Sequence, residues 1–301
     1  MAAASPAVLT RPSVRTRVGG FVALTKPRII ELLLVTTLPT MVVAQRGIPS
    51  VALMAATLAG GTLAAGGANA INMWHDRDID ALMKRTDTRP LVTGVVGPAE
   101  ALVFALLLEA AAFVLLWRTV NLLSAVLAAS ATAFYVFVYT LWLKRTSKQN
   151  IVIGGAAGAV PVLVGWSAVT NSLSWAPFVL FALIFLWTPP HFWALAIKYK
   201  DDYSAADVPM LPSVADDATV GRQILGYTVL LCAVSLLFAP VAHMGAIYIT
   251  SAVVLGAVFV LFAVRVLRDA SVANAMRLFG WSITYVTLLF GAMALDQLVL
   301  R

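Results

Sequence analysis

Of the 301 residues, 61% are hydrophobic and only 12% are charged, against roughly 45–50% and 25% in soluble domains. A chain of this size cannot hide that much apolar surface from water, which excludes a soluble globule and makes lipid the solvent. The net charge of +7 fits basic cytoplasmic loops better than a nucleic-acid partner, and a single cysteine, Cys232, excludes an internal disulfide or a cysteine metal cage.

The chain opens with an acid-poor stretch carrying Arg11, Arg15 and Arg17. No apolar run with a cleavage site follows it separately, so a basic cytosolic tail over residues 1–24 is a simpler reading than a secretory signal or a transit peptide. A spanning helix takes about 20 mostly apolar residues. Nine stretches qualify: 28–45, 50–72, 98–117, 121–142, 151–170, 174–197, 223–242, 245–264 and 278–299. The expected architecture is therefore an all-α polytopic membrane domain over residues 25–301. Of the 21 Lys and Arg, all but Arg46, Arg118 and Arg301 fall before segment one or after segments two, four, six and eight. That asymmetry predicts a cytoplasmic N-terminus and a C-terminus on the outside. Cys232 falls in an apolar run and is expected to be packing. Trp166 and Trp175, on the outer side, read as an interface belt, and His243 reads as an interface residue.

The acids gather in two loops on the predicted cytoplasmic face. Asp76, Asp78, Asp80 and Asp87 follow segment two, and Asp201, Asp202, Asp207, Asp216 and Asp217 follow segment six. Four helices separate the loops, which suggests a duplicated four-helix unit plus a ninth helix, with the repeats parallel. Glu109 alone lies deep within a segment. A mid-bilayer carboxyl costs roughly 2.5–3.5 kcal/mol on insertion scales, so it is expected to be paired or protonated in a structural role, although no partner can be named.

Asn72, Asp76 and Asp80 are spaced by four. If segment two continues as a helix across the interface, they share one face with a drift of about 40° per step. An amide and two carboxylates then form a column of oxygens suited to Mg²⁺, which takes one or two carboxylates together with phosphate oxygens and water. A merely solvated acidic helix end is the bland alternative, but acids at a helix C-terminus oppose the macrodipole. In the second cluster His191, Lys198 and Asp202 are separated by seven and four and so fall on one helical stripe. On an unbroken helix His191 would lie about 16 Å from Asp202. Pro189 and Pro190 should break or kink segment six, and a kink at this depth is tolerated where it lines a cavity or is buried in protein. His191 is thus either a satisfied core histidine or a group facing an interior pocket.

Arg85, Arg89, Lys144, Arg145 and Lys198 surround the two clusters. Carboxylates, a divalent metal and basic side chains together make a diphosphate clamp. No Gly-rich phosphate loop is present, so nucleotide hydrolysis has no support. A prenyl diphosphate has a charged head for the water boundary and a hydrocarbon tail for an apolar chamber. Loss of diphosphate leaves an allylic cation, which needs shielding from water and gains from aromatic faces.

The Asn72-x-x-x-Asp76-x-x-x-Asp80 run resembles the first signature of the UbiA superfamily of intramembrane prenyltransferases. The finer pattern is similar to its heme-modifying branch: Thr25-Lys26-Pro27-Arg28, Asn72 to Asp80 with Met83, Arg85, Thr86, Arg89 and Pro90, Tyr139-Thr140, and Leu143-Lys144-Arg145. It continues through Asn150 to Ala159, Gly165-Trp166, Pro189 to Leu195, Asp201-Asp202-Tyr203 and Pro209 to Pro212, covering nearly everything from Thr25 onwards. The resemblance implies nine helices around a central cavity in a bacterial plasma membrane. It also implies farnesyl transfer from farnesyl diphosphate to a vinyl group of heme b, which is a substrate rather than a cofactor. The product would serve terminal oxidases directly or through heme A synthase, making these assemblies the expected partners besides lipid. On this pattern Asn72, Asp76, Asp80, Lys198 and Asp202 are the catalytic candidates. Asp76, Asp80, Asp201 and Asp202 are the Mg²⁺ candidates, and His191, Trp187 and Trp193 form the candidate heme pocket. Two positions depart from the superfamily. Lys198 stands where its second loop has the first of two spaced acids, and Asp207 stands where the heme-modifying branch usually has Gly.

Two rivals remain. A sister enzyme prenylating a quinone-ring precursor is disfavoured by the Pro-Pro-His-Phe-Trp run. A secondary transporter would bind near the midplane on broken helices, whereas these acids lie at the surface.

Overall fold

The structure is a computed structural model that describes residues 13–299, side chains of residues 28–34 excepted; Arg11, Arg301 and the Arg28 side chain, which entered the charge pattern, lie outside the described residues. A helix α1 (Val14–Leu24) precedes α2 (Pro27–Gln45), the counterpart of the first predicted segment. Eight further helices are long and apolar enough to cross a membrane. They begin with α3 (Val51–Asp80) and α4 (Pro98–Thr119). A continuous rod, Leu122–Thr146, follows, built from α5 (Leu122–Ala133), a π-helical stretch (Phe134–Leu143) and a last turn α6 (Lys144–Thr146). Then come α7 (Asn150–Thr170) and α8 (Trp175–Lys198), two short helices α9 (Lys200–Ala205) and α10 (Leu211–Val214), and finally α11 (Asp217–Ala242), α12 (Ala246–Arg268) and α13 (Val272–Val299). Described residues contain no strand, as lipid solvation of an open sheet would forbid.

Neighbouring helices pack in a closed order: α3, α4, α5, α7, α8, α11, α12, α13, α2 and back to α3, with α2 also against α7 and α13 against α8. Lipid supplies no hydrophobic drive between helices, so close backbone approach at small residues replaces it. A Cβ on Gly165 of α7 would sit 2.9 Å from the Thr37 carbonyl of α2, and one on Gly221 of α11 would sit 2.7 Å from Leu267 Cα of α12. Buried polar groups are answered across the bundle. Asp296 near the end of α13 accepts from the backbone N–H groups of Gly245 (2.5 Å) and Tyr248 (3.1 Å), supplying in trans the cap that the start of α12 lacks. Glu109 finds the partner that its segment could not name: Thr132 Oγ1 of α5 donates to its Oε1 at 3.3 Å.

One local expectation is narrowed and another corrected. Helix α8 passes through Pro189 and Pro190 without a break, which leaves a kink as the form their effect can take. Both prolines are buried, where neighbouring groups can re-satisfy the freed backbone. The stripe from His191 to Asp202 is, however, interrupted. Helix α8 ends at Lys198, Tyr199 leaves helical geometry (φ −108°, ψ 26°), and α9 starts afresh at Lys200. The 16 Å spacing therefore does not apply. Helix α3 does continue to Asp80, two turns past its predicted apolar stretch. Cys232 packs beneath Gly256, and Trp175 stands exposed at the start of α8. His243 is the left-handed cap that ends α11. Asp207 is exposed with φ +50°, a left-handed conformation that glycine takes freely and aspartate tolerates.

Candidate active site

The last turns of α3 run past the apolar body of the bundle, yet their inner face stays inside protein. Asn72, Asp76 and Asp80 are 3%, 0% and 1% exposed. Buried carboxylates survive only when paired and hydrogen-bonded, and each of these is. Asp76 accepts from Lys144 Nζ and from Asn72 Nδ2 (2.7 Å), has His75 Nδ1 at 3.1 Å, and lies 3.8 Å from the Arg145 guanidinium. Asp80 accepts from Arg89 Nη1 at 2.6 Å through Oδ2, while its Oδ1 is buried without a partner among the described residues. The bystander Asp78 takes a two-pronged contact from Arg145, both bonds 2.7 Å.

Three other elements complete this wall. The π-helical stretch, with its wider turn, brings Thr140 to Asn72 (Nδ2 donates to Oγ1, 3.2 Å) and leads directly into Lys144 and Arg145. Such π stretches recur at functional sites. Tyr135 and Tyr139 stack on the same stretch with centroids 5.3 Å apart, and Tyr139 lies over Gly154 of α7, where a Cβ would meet its ring at 2.3 Å. The loop after α3 supplies Arg89, anchored by Thr86 Oγ1 donating to the Asp80 carbonyl at 2.8 Å. The α1–α2 junction supplies Lys26, whose Nζ donates to Asn72 Oδ1 at 3.0 Å, while Asn69 Nδ2 holds the Thr25 carbonyl at 3.1 Å. Lys26 adopts φ 51°, ψ 65°. That left-handed conformation is uncommon for a non-glycine residue. Burial, with Arg89 and Lys144 close by, brings its ammonium down to about 7, against the opposing pull of Asp76 and Asp80.

The second acidic loop joins the first through one residue. The Arg85 backbone N–H donates to Asp202 Oδ2 (3.2 Å), and its guanidinium lies 5.4 Å and 5.8 Å from the ring centroids of Tyr199 and Tyr203. Beneath this contact Ile79, Met83, Ile151, Ala196, Tyr203 and Val208 form a small apolar core. Lys198 is exposed, its Nζ 5.3 Å from the Tyr199 ring, and Asp201 is exposed with no partner among the described residues. Among those residues no three acid, histidine or cysteine side chains converge as a preformed metal cage. The donor set still suits a divalent ion arriving with phosphate oxygens, because Asp80 Oδ1 is buried with no hydrogen-bond partner among the described residues.

Of the candidate residues, the structure gathers Asn72, Asp76, Asp80, Arg89, Lys144 and Arg145. It sets Arg85 and Asp202 at the edge and leaves Lys198 and Asp201 at the surface. His191 and Trp187 stack on one another with centroids 4.2 Å apart, whereas Trp193 turns away to pack edge-on against Tyr227 of α11. Lys26, His75 and Thr140 were not singled out from the sequence. The signal for Lys26 was its place before Pro27 in a motif-like run.

A lipid-solvated helical bundle with a buried acid column and a rim of cations is the architecture of an intramembrane transferase acting on diphosphate-headed lipids. The chain belongs to the UbiA prenyltransferase family, whose profile matches residues 33–292. It is 56% identical over 283 residues to the protoheme IX farnesyltransferase of Frankia casuarinae (93% of this chain, 98% of that one). It is 53% identical over 287 residues to the protein of that name from Streptomyces coelicolor (93% and 91%). Among solved structures it is similar in fold to digeranylgeranylglyceryl phosphate synthase, with a TM-score of 0.76, 15% identity, and 94% and 99% of the chains covered. It also resembles a UbiA homolog from Aeropyrum pernix K1, with a TM-score of 0.69, 22% identity, and 89% and 99% covered.

Proposed function

We propose that this prenyltransferase moves the farnesyl group of farnesyl diphosphate onto a vinyl group of heme b. Water supplies the new hydroxyl, and the products are heme O and diphosphate. The observation that carries the reading is the buried column Asn72-Asp76-Asp80 ringed by Lys26, Arg89, Lys144 and Arg145 at one end of an apolar bundle. That arrangement accepts a charged head at the rim and a hydrocarbon tail within. The heme assignment rests on the names of relatives more than half identical over nearly the whole chain.

Mg²⁺, held by Asp76 and Asp80 with Asp202 or Asp201 as further oxygens, would neutralise charge developing on the departing diphosphate. The protein's own part is an exchange of partners. Lys144 pairs with Asp76 and Arg89 with Asp80. When a diphosphate arrives, the same cations can turn to phosphate oxygens and hold the head in place. Arg85, stacked on two tyrosines, can close over it from the second loop. The apolar interior shields the allylic cation from stray water, and Tyr135 and Tyr139 offer it ring faces.

Purified protein given heme b, farnesyl diphosphate and Mg²⁺ should form a farnesylated, hydroxylated heme detectable by mass spectrometry. Prenylation of a hydroxybenzoate in place of heme would overturn the assignment and favour the quinone-precursor reading. The consumer of the product would be a terminal oxidase assembly or a heme A synthase.

The proposed orientation has the N-terminus and both acidic loops in the cytoplasm of a bacterial plasma membrane. Cysteines introduced near Asp87, Ser147 and Ala215 should then react with impermeant reagents only after the membrane is opened. Labelling of any of the three on intact cells would reject it.

A further inference from the structure

His191 is held in a way that a space-filling histidine does not require. Its ring is stacked between Trp187 (centroids 4.2 Å, 20° between planes) and Phe279 of α13 (4.6 Å, 25°), with Phe192 edge-on at 5.1 Å. Its Nδ1 lies 2.7 Å from Ser282 Oγ. That serine has already committed its proton, because its hydroxyl donates to the Phe279 carbonyl at 2.6 Å. The tautomer that satisfies both contacts is the one in which Nδ1 carries the hydrogen and donates to the Ser282 oxygen. In the neutral ring Nε2 is then the bare nitrogen. The Ser282 carbonyl is fixed too, accepting from Trp187 Nε1 at 2.8 Å. Ser282 thus sets both the tautomer of the imidazole and the position of the indole stacked on it.

Nε2 has no hydrogen-bond partner among the described residues, although His191 is only 8% exposed. A core histidine with a purely packing role normally has both nitrogens satisfied. An imidazole with Nδ1–H tied to an oxygen acceptor and a free Nε2 is the arrangement used by metal-ligating histidines. His191 lies seven residues before Lys198, about 10 Å along α8 from the end of that helix. We infer that His191 Nε2 is the axial ligand to the iron of the porphyrin substrate, with Ser282 as its positioning residue. This rests on the heme reading above. Ligation would centre the porphyrin on one nitrogen and fix its plane. Vinyl edges would then be the parts free to reach a prenyl chain whose head is held at the rim.

The test is spectroscopic and uses the full chain in nanodiscs with added heme b. In the wild-type protein, ferrous heme should show the iron–histidine stretching band by resonance Raman. In His191→Ala that band should vanish, then an imidazole-ligated spectrum should return when imidazole is added, while a non-hydrolysable farnesyl diphosphate analogue still binds as a check on folding. Ser282→Ala should keep the band but shift its frequency, and should weaken heme binding roughly tenfold, in the range seen when a ligating histidine loses its second partner. An unchanged band in His191→Ala, or no response to imidazole, overturns the inference. If wild-type protein binds heme and farnesylates it without any His191-dependent band, the proposed reaction stands and axial ligation falls. If it binds no heme, both fall together.

Discussion

Asp80→Asn is expected to leave the protein inserted and folded while lowering turnover by about 10³-fold, equivalent to roughly 4 kcal/mol in the transition state. Asp80 is 1% exposed; one oxygen takes the Arg89 guanidinium at 2.6 Å and the other has no partner among the described residues. The amide keeps the shape and loses the charge, so it neither binds a divalent ion strongly nor holds Arg89 in readiness. Asp76→Asn should be equally inactive and, like Asp80→Asn, less stable than the parent protein. It leaves Lys144, only 12% exposed, without its counter-charge, and breaking a buried pair from one side costs about 3–5 kcal/mol. Turnover should be measured at saturating Mg²⁺ alongside thermal unfolding of both variants. Near-normal turnover in Asp80→Asn would remove it from the head-group site. Asp207→Gly is the control among the loop acids, since its φ of +50° suits glycine and it touches none of the column.

Lys26→Gln should weaken binding of a non-hydrolysable farnesyl diphosphate analogue by roughly ten- to hundredfold, as expected for losing a charge-assisted hydrogen bond worth about 1.5–3 kcal/mol. Lys26 is tethered to Asn72 Oδ1, and burial first, then its neighbours Arg89 and Lys144, make its charge unfavourable until an anion arrives. A diphosphate relieves that repulsion, which is why the effect should be large for a single side chain. Lys26→Gly separates charge from conformation. Glycine accepts φ 51° without strain, so stability should hold while affinity falls as far as in Lys26→Gln. Calorimetric titration of both variants decides it. If Lys26→Gly binds the analogue normally, the lysine serves only the turn between α1 and α2.

Much of this protein was set by sequence alone, because the bilayer leaves few choices. Backbone polar groups in lipid must be satisfied within the segment, so apolar stretches of spanning length had to be helices. The four-residue spacing of Asn72, Asp76 and Asp80 could make one face only if α3 continued past its apolar stretch, and it does. The basic residues around the two acidic clusters were legible too, and of these Arg89, Lys144 and Arg145 converge on that face.

What depends on contacts between distant segments was decided only by tertiary structure. A helical stripe assumes an unbroken axis, and the departure of Tyr199 from it separates His191 from Asp202 in a way that periodicity does not reveal. The partner of Glu109 is Thr132, 23 residues away, and Lys26 meets Asn72 across 46. His191 and Ser282 are 91 residues apart. Side-chain spacing along a helix extends only to near neighbours, whereas these pairs exist because helices far apart in the chain pack side by side. The acid column was therefore legible in the sequence, and the lysine that guards it and the serine that orients the histidine were not.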